Sequence, residues 1–163
     1  MNLTEHFTLS EFTISQEAAR RDIDNMPDEL ALSELKRTAE LLEKVRALLG
    51  GVPILISSGY RCPKLNAAVG GSSNSAHLWG GAADFTAPGF GTPGDVAIKI
   101  ARESLLDYDQ LILEFGSWVH IGRAMPTYAP RRQLLTIDRY GTRSALDWRG
   151  SEYLRPFPVP NDR

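Results

Sequence analysis

A single cysteine, Cys62, is all the thiol this 163-residue chain has, so no disulfide can form within it and burial alone must hold the core. Also lacking is any run near the roughly 18–20 uninterrupted apolar residues of a membrane-spanning helix, so no stable membrane association is expected. Met1-Asn2-Leu3-Thr4-Glu5-His6 has neither the basic start nor the apolar core of a signal peptide, which predicts synthesis in the cytoplasm without export by that route. There is no internal repeat and no domain boundary. What is present, 42% hydrophobic and 23% charged residues, is the composition of one soluble globular domain and excludes a fibre or a disordered tail.

The formal charge of -2 conceals an asymmetry. Residues 1–122 carry 10 Lys and Arg against 16 Asp and Glu, a balance of -6, whereas residues 123–163 carry 8 against 4, a balance of +4. All eight late cations are arginines: Arg123, Arg131, Arg132, Arg139, Arg143, Arg149, Arg155 and Arg163. Such a segment suits an anionic polymer. No aromatic-basic platform accompanies it, so nucleic acid is not an expected partner, and a solvated tail is the simpler reading. Arg155-Pro156-Phe157-Pro158-Val159-Pro160 reads as extended, making 150–163 a tail on a single domain spanning 1–163.

Periodicity predicts an amphipathic helix from Asp28 to Leu49, with Leu35, Leu42, Val45 and Leu49 on one face, Pro27 in its first turn and Gly50-Gly51 as its stop. Phe7 to Phe12 reads as a turn of helix or an irregular arm. Pro53-Ile54-Leu55-Ile56-Ser57 and Ala82-Ala83-Asp84-Phe85-Thr86 read as strands, with a functional loop from Gly59 to Gly81 between them. Thr92-Pro93-Gly94-Asp95 has capping-box spacing and opens a helix carrying Val96, Ile100 and Leu105. Gln110 to Phe115 and Trp118 to Ile121 flank Gly116-Ser117 as a hairpin, and Leu134 to Ile137 adds a further strand. The order predicts an α+β domain: a small, mainly antiparallel sheet with helices packed on one face.

The chemistry-bearing stretch is Ser75-Ala76-His77-Leu78-Trp79-Gly80-Gly81-Ala82-Ala83-Asp84, followed by Trp118-Val119-His120. Two imidazoles and a carboxylate suit zinc, which with three protein ligands keeps a fourth position open for water. A His and an Asp seven residues apart also arise by chance, so spacing alone leaves a metal site and an ordinary core pair both open.

The pattern resembles the zinc peptidases related to bacterial D-Ala-D-Ala carboxypeptidases and phage L-alanyl-D-glutamate endolysins, whose fold is shared with hedgehog domains. Their Ser-x-His-x-x-Gly-x-Ala-x-Asp matches Ser75, His77, Gly80, Ala82 and Asp84; Trp118-Val119-His120 and Ser58-Gly59-Tyr60-Arg61 match the flanking blocks, in the family's order. The resemblance implies one Zn2+ held by His77, Asp84 and His120, with a water made acidic by the metal as nucleophile. It implies that Arg61 binds a substrate carboxylate, a task suited to a planar guanidinium, and that Ser75 bonds the substrate backbone. Loop-stabilising roles for Arg61, and core roles for Trp79 and Trp118, stay open beside these. Cys62 reads as a small packing residue. The substrate implied is a peptidoglycan stem peptide, cut by carboxypeptidase or L-Ala-D-Glu endopeptidase action. The setting implied is a phage or prophage endolysin released through a holin, or a virion component, with a monomer favoured. A zinc-stabilised binding domain without catalysis is the alternative, and a structural protein with no metal is a third.

The general base departs from the family pattern. Many members carry Asp or Glu three residues before the last His, where this chain has Ser117. Glu114 is the candidate, with Asp107 and Asp109 as fallbacks whose simpler role is at a solvated strand entrance. Strand alternation decides. A two-residue turn, Gly116-Ser117, sets Glu114 opposite Val119 and away from His120. A three-residue loop, Phe115 to Ser117, sets it opposite Trp118 on the His120 face.

Overall fold

The computed structural model describes residues 1–145; the predicted tail, 150–163, lies outside the described residues. The chain runs α1 (Leu9–Thr13), α2 (Gln16–Arg20), α3 (Glu29–Leu48), β1 (Leu55–Ser58), α4 (Pro63–Ala68), a short 3-10 helix (Ala76–Trp79), β2 (Ala82–Thr86), α5 (Pro93–Arg102), β3 (Gln110–Glu114), β4 (Trp118–Gly122), β5 (Gln133–Asp138) and β6 (Gly141–Ser144). Six strands form one sheet in the order β1-β2-β4-β3-β5-β6. Every pairing is antiparallel except β3 with β5. This is the predicted α+β class, with a larger sheet than the sequence indicated.

Period-two alternation gives the sheet two chemically different faces. Ala83, Phe85, Leu111, Val119, Ile121 and Leu134 are fully buried in the core with residues of α3 and α5. α3 contributes Leu35, Ala39, Leu42 and Val45 at three- and four-residue steps, and α5 contributes Ile100 one turn after the adjacent Val96 and Ala97. The opposite face carries Asp84, His120 and Ile112 in register across β2, β4 and β3. A one-residue slip would therefore exchange core for site.

Several boundaries differ from expectation for local reasons. The Asp28 carboxylate caps α3 by accepting from the Ala31 N–H at 2.8 Å, so Pro27 precedes the cap rather than occupying the first turn. The predicted loop from Gly59 to Gly81 contains α4, opened by Pro63 in the first turn after Cys62, whose sulfur accepts from the Leu65 N–H. α5 has the expected capping box but ends at Arg102, leaving Leu105 exposed outside it.

The N-terminal arm is held to α3 by one carboxylate. Thr4 Oγ1 and the His6 backbone N–H donate to Glu43 Oε1 at 2.7 and 2.9 Å, and His6 Nδ1 lies 2.9 Å from Oε2. Burial raises the Glu43 carboxyl, but these bonds outweigh it and hold it below its ordinary range. A carboxyl depressed on folding stabilises the protein above its unfolded pKa and loses that contribution as the pH falls through the folded one. Glu43→Gln is therefore expected to lower the denaturant midpoint at pH 7, with the gap to wild type closing below about pH 4. Equal gaps at pH 7 and pH 3 would count against this anchor.

Candidate metal centre

The site begins with a close approach of backbones. The 3-10 helix carrying His77 ends at Gly80, in the left-handed region at φ 79°. A Cβ there would sit 2.6 Å from the Ala31 carbonyl oxygen, and any other residue would cost roughly 1–2 kcal/mol in backbone strain besides. Thr38 Oγ1 of α3 donates to the Gly80 carbonyl at 2.7 Å, fixing the loop against the helix. Ser75 caps the segment, its Oγ accepting from the His77 N–H at 3.3 Å. Gly81 lets the Trp79 ring lie against the chain, since a Cβ would meet that ring at 2.0 Å.

β2 and β4 then bring Asp84 and His120 directly opposite one another. His77, Asp84 and His120 are 2%, 6% and 7% exposed, so all three are withdrawn from bulk water. His77 Nε2 lies 3.2 Å and His120 Nδ1 2.8 Å from Asp84 Oδ1. Asp84 Oδ2 accepts from Arg61 Nη2 at 3.0 Å, while Arg61 Nε donates to Ser58 Oγ at 3.0 Å. Burial raises Asp84, but the two imidazoles outweigh it and hold the carboxyl far below the usual range, so it is ionised.

Whether this set suits a cation can be judged from His77. Its Nδ1 lies 2.5 Å from the Gly59 carbonyl, which has only lone pairs to offer, so Nδ1 carries the hydrogen. Burial pushes the imidazole down, against the pull of Asp84, and favours the neutral ring. A neutral ring with hydrogen on Nδ1 aims the Nε2 lone pair at an anionic oxygen 3.2 Å away, an arrangement relieved by a cation between them. One ligand atom from each of the three residues lies within 4.8 Å of the other two. Two nitrogens and a carboxylate oxygen, closely spaced, buried and oriented from behind by a backbone carbonyl, fit a single metal ion.

The centre opens into a cleft of about 1180 Å³ lined by Arg61, by residues 70–79 and by residues of β3, β4, β5 and β6. Glu114 lines it too. β3 and β4 are joined by Phe115, Gly116 and Ser117, with Phe115 at φ 52° and Gly116 at φ 61°, and Glu114 pairs with Trp118. The three-residue loop thus puts Glu114 on the His120 face. Burial raises its carboxyl and so does the nearby Asp84, while His120 and Arg61 oppose them. The Trp118 indole N–H also lowers it, although it makes no hydrogen bond of normal geometry. Asp109 borders the cleft but is engaged by the backbone N–H, Nε and Nη2 of Arg131. Trp79 lines the cleft; Trp118 packs on Phe115 with ring centroids 5.7 Å apart.

Sequence reasoning named every ionisable group at this centre. It missed the Gly59 carbonyl, which as a backbone atom leaves no residue signature, and the far wall of the cleft, whose strand β6 is short and polar. For Arg61 it weighed a substrate carboxylate against loop carbonyls and did not foresee the bond that the guanidinium makes to Asp84.

A sheet bearing a buried His-Asp-His set beside an open cleft defines a protein with a centre for a single metal ion. The chain belongs to the peptidase M15 family, whose sequence profile matches residues 5–122. Over 63 residues it is 40% identical to a zinc D-Ala-D-Ala carboxypeptidase of Streptomyces albus G; the matched stretch is 39% of this chain and 24% of the relative, so the chain spans about a quarter of that protein.

Equilibrium dialysis against a divalent ion is expected to give one ion per chain. Asp84→Asn should weaken binding by more than about 100-fold, beyond the loss typical of a residue that merely orients a ligand. Unchanged occupancy at micromolar metal would show that the three residues are not its ligands.

Proposed function

We propose that the chain is a zinc-dependent peptidase that hydrolyses a peptide bond in the stem peptides of peptidoglycan. The observation that carries this reading is the meeting of Glu114 with His77 and His120 in one cleft, over the Asp84 carboxylate that both imidazoles approach. Family membership and the named relative support the metal and the class of bond.

His77 through Nε2, Asp84 through Oδ1 and His120 through Nδ1 would hold the zinc. When bound by two imidazoles and a carboxylate, zinc polarises a carbonyl and makes water more acidic. Glu114 receives a proton from the attacking water at its carboxylate and delivers it to the departing amine, a task its raised pKa assists. Arg61 commits Nε to Ser58 and Nη2 to Asp84, two of the five N–H donors of a guanidinium, and the others bind a substrate carboxylate. Ser75, on the cleft wall, bonds the substrate backbone. Cleavage of a terminal D-Ala and cleavage between L-Ala and D-Glu are both compatible with this machinery. An endolysin or virion-borne role in wall lysis belongs to the same proposal and rests on the resemblance.

The alternative, a zinc-stabilised binding domain, would be favoured by a Glu114 turned away from the centre. Its position on the His120 face supports hydrolysis instead.

Zinc-loaded protein incubated with purified peptidoglycan fragments should release new chain ends identifiable by mass spectrometry and absent from a chelated control. A lost D-Ala marks carboxypeptidase action, and a new D-Glu amino end marks endopeptidase action. Glu114→Gln should retain its zinc yet lower kcat by about 10²- to 10⁴-fold. An unchanged cleavage rate in His77→Ala would sink the reading.

A further inference from the structure

The cleft is larger than the metal chemistry needs. Pockets that enclose a small ligand measure roughly 300–1,000 Å³, and this one reaches about 1180 Å³. The sheet carries it well beyond the metal centre. The face that carries His120 continues across β3, β5 and β6, with Ile112 beside His120, Leu135 beside Ile112, and Ile137 between Glu114 and Thr142. Ile112, Leu135, Ile137 and Thr142 all line the cleft, and Met125 and Tyr128 of the 123–132 connection stand exposed at its rim. Three strand spacings of ~4.8 Å carry this floor ~14 Å from β4, the span of about four residues of extended peptide. The family match ends at residue 122, and β5 begins at Gln133, so the part of this floor supplied by β5 and β6 comes from outside the matched segment.

We propose that β5 and β6 form a second subsite, which holds the part of a peptide substrate continuing past the scissile bond. The floor fixes the chemistry. Ile112, Leu135 and Ile137 present an apolar strip without a charge of their own, so the subsite takes aliphatic groups: methyl side chains, or the methylene stem of a long diamino residue whose charged head stays in water. Continuity with the centre fixes the occupant, because the strip begins at the strand position next to His120 and passes Glu114. The protein therefore reads a stretch of peptide rather than a terminal dipeptide.

This inference rests on the hydrolytic reading for the identity of the peptide, and binding to chelated protein separates the two. The probes are the acetylated pentapeptide L-Ala-D-Glu-L-Lys-D-Ala-D-Ala and the dipeptide D-Ala-D-Ala, measured by calorimetry. Wild type should bind the pentapeptide at least about tenfold more tightly than the dipeptide, the size of a modest apolar contact. Leu135→Ser should reduce that preference. Thr142→Trp, at an exposed position on β6 that cannot disturb the core, should abolish it by filling the subsite while changing dipeptide affinity by less than about twofold. Equal affinity of wild type for both probes, or a preference that survives Thr142→Trp, overturns the subsite. If zinc-loaded wild type cleaves neither peptide while the preference and its loss in Thr142→Trp persist, hydrolysis fails and the subsite stands.

Discussion

One buried carboxylate organises this molecule. Asp84 is charged in a place nearly closed to water, which is tolerable only because Arg61 donates to Oδ2 and because the ring nitrogens of His77 and His120 around Oδ1 complete a seat for a cation. Each partner is delivered by a different element, and each delivery has its own requirement. The β2–β4 register sets His120 opposite, the close approach of Gly80 to α3 turns His77 inward, and the turn after β1 brings Arg61 across the strand end. Removing a single partner leaves an uncompensated charge, so the helices and the sheet are constrained as much by this electrostatic knot as by the apolar core behind it.

The sheet resolves two demands that would conflict on a smaller scaffold. Its helix-facing side is aliphatic and aromatic and fully buried, from Phe85 through Val119 and Ile121 to Leu111 and Leu134. Its open side holds ionised and imidazole groups near β2 and β4, then turns apolar again toward β5. Alternation lets adjacent residues serve unlike solvents: Ile121 and Val119 belong to the core while His120 between them belongs to the centre. The same rule makes hairpin length a chemical variable, because the extra residue in the Phe115–Ser117 loop is what turns a carboxylate into the cleft.

Much of the centre was legible in the sequence because its ligands fall in compact blocks with unusual residue types. His77, Asp84 and His120 could be named, and the question of Glu114 could be reduced to the length of one loop. The remainder was hidden for physical reasons. α4 occupies six residues in a Gly-, Ser- and Asn-rich stretch, and only Pro63 after Cys62 betrays it. β6 reads Gly141-Thr142-Arg143-Ser144, a polar and largely exposed run whose strand character comes from pairing with β5 rather than from any propensity of its own. The bond between Gly59 and His77 involves a backbone oxygen, and Arg61's grip on Asp84 depends on the turn at the end of β1, neither of which a linear pattern records.

The Phe12 carbonyl accepts from the Tyr60 N–H at 2.7 Å, beside the Gly59 whose own carbonyl steadies His77, and His120 lies 36 residues beyond Asp84. The centre is thus tied together through contacts remote in sequence, and its loop-closure entropy falls due before any ligand is gained. During synthesis, the emerging chain would hold two-thirds of a ligand set long before the last member appears. Metal capture at full strength therefore waits for the pairing of β2 with β4, and a metal-dependent signal from this protein reports that pairing and the closure of the His77 segment onto it, not that a local loop alone has formed.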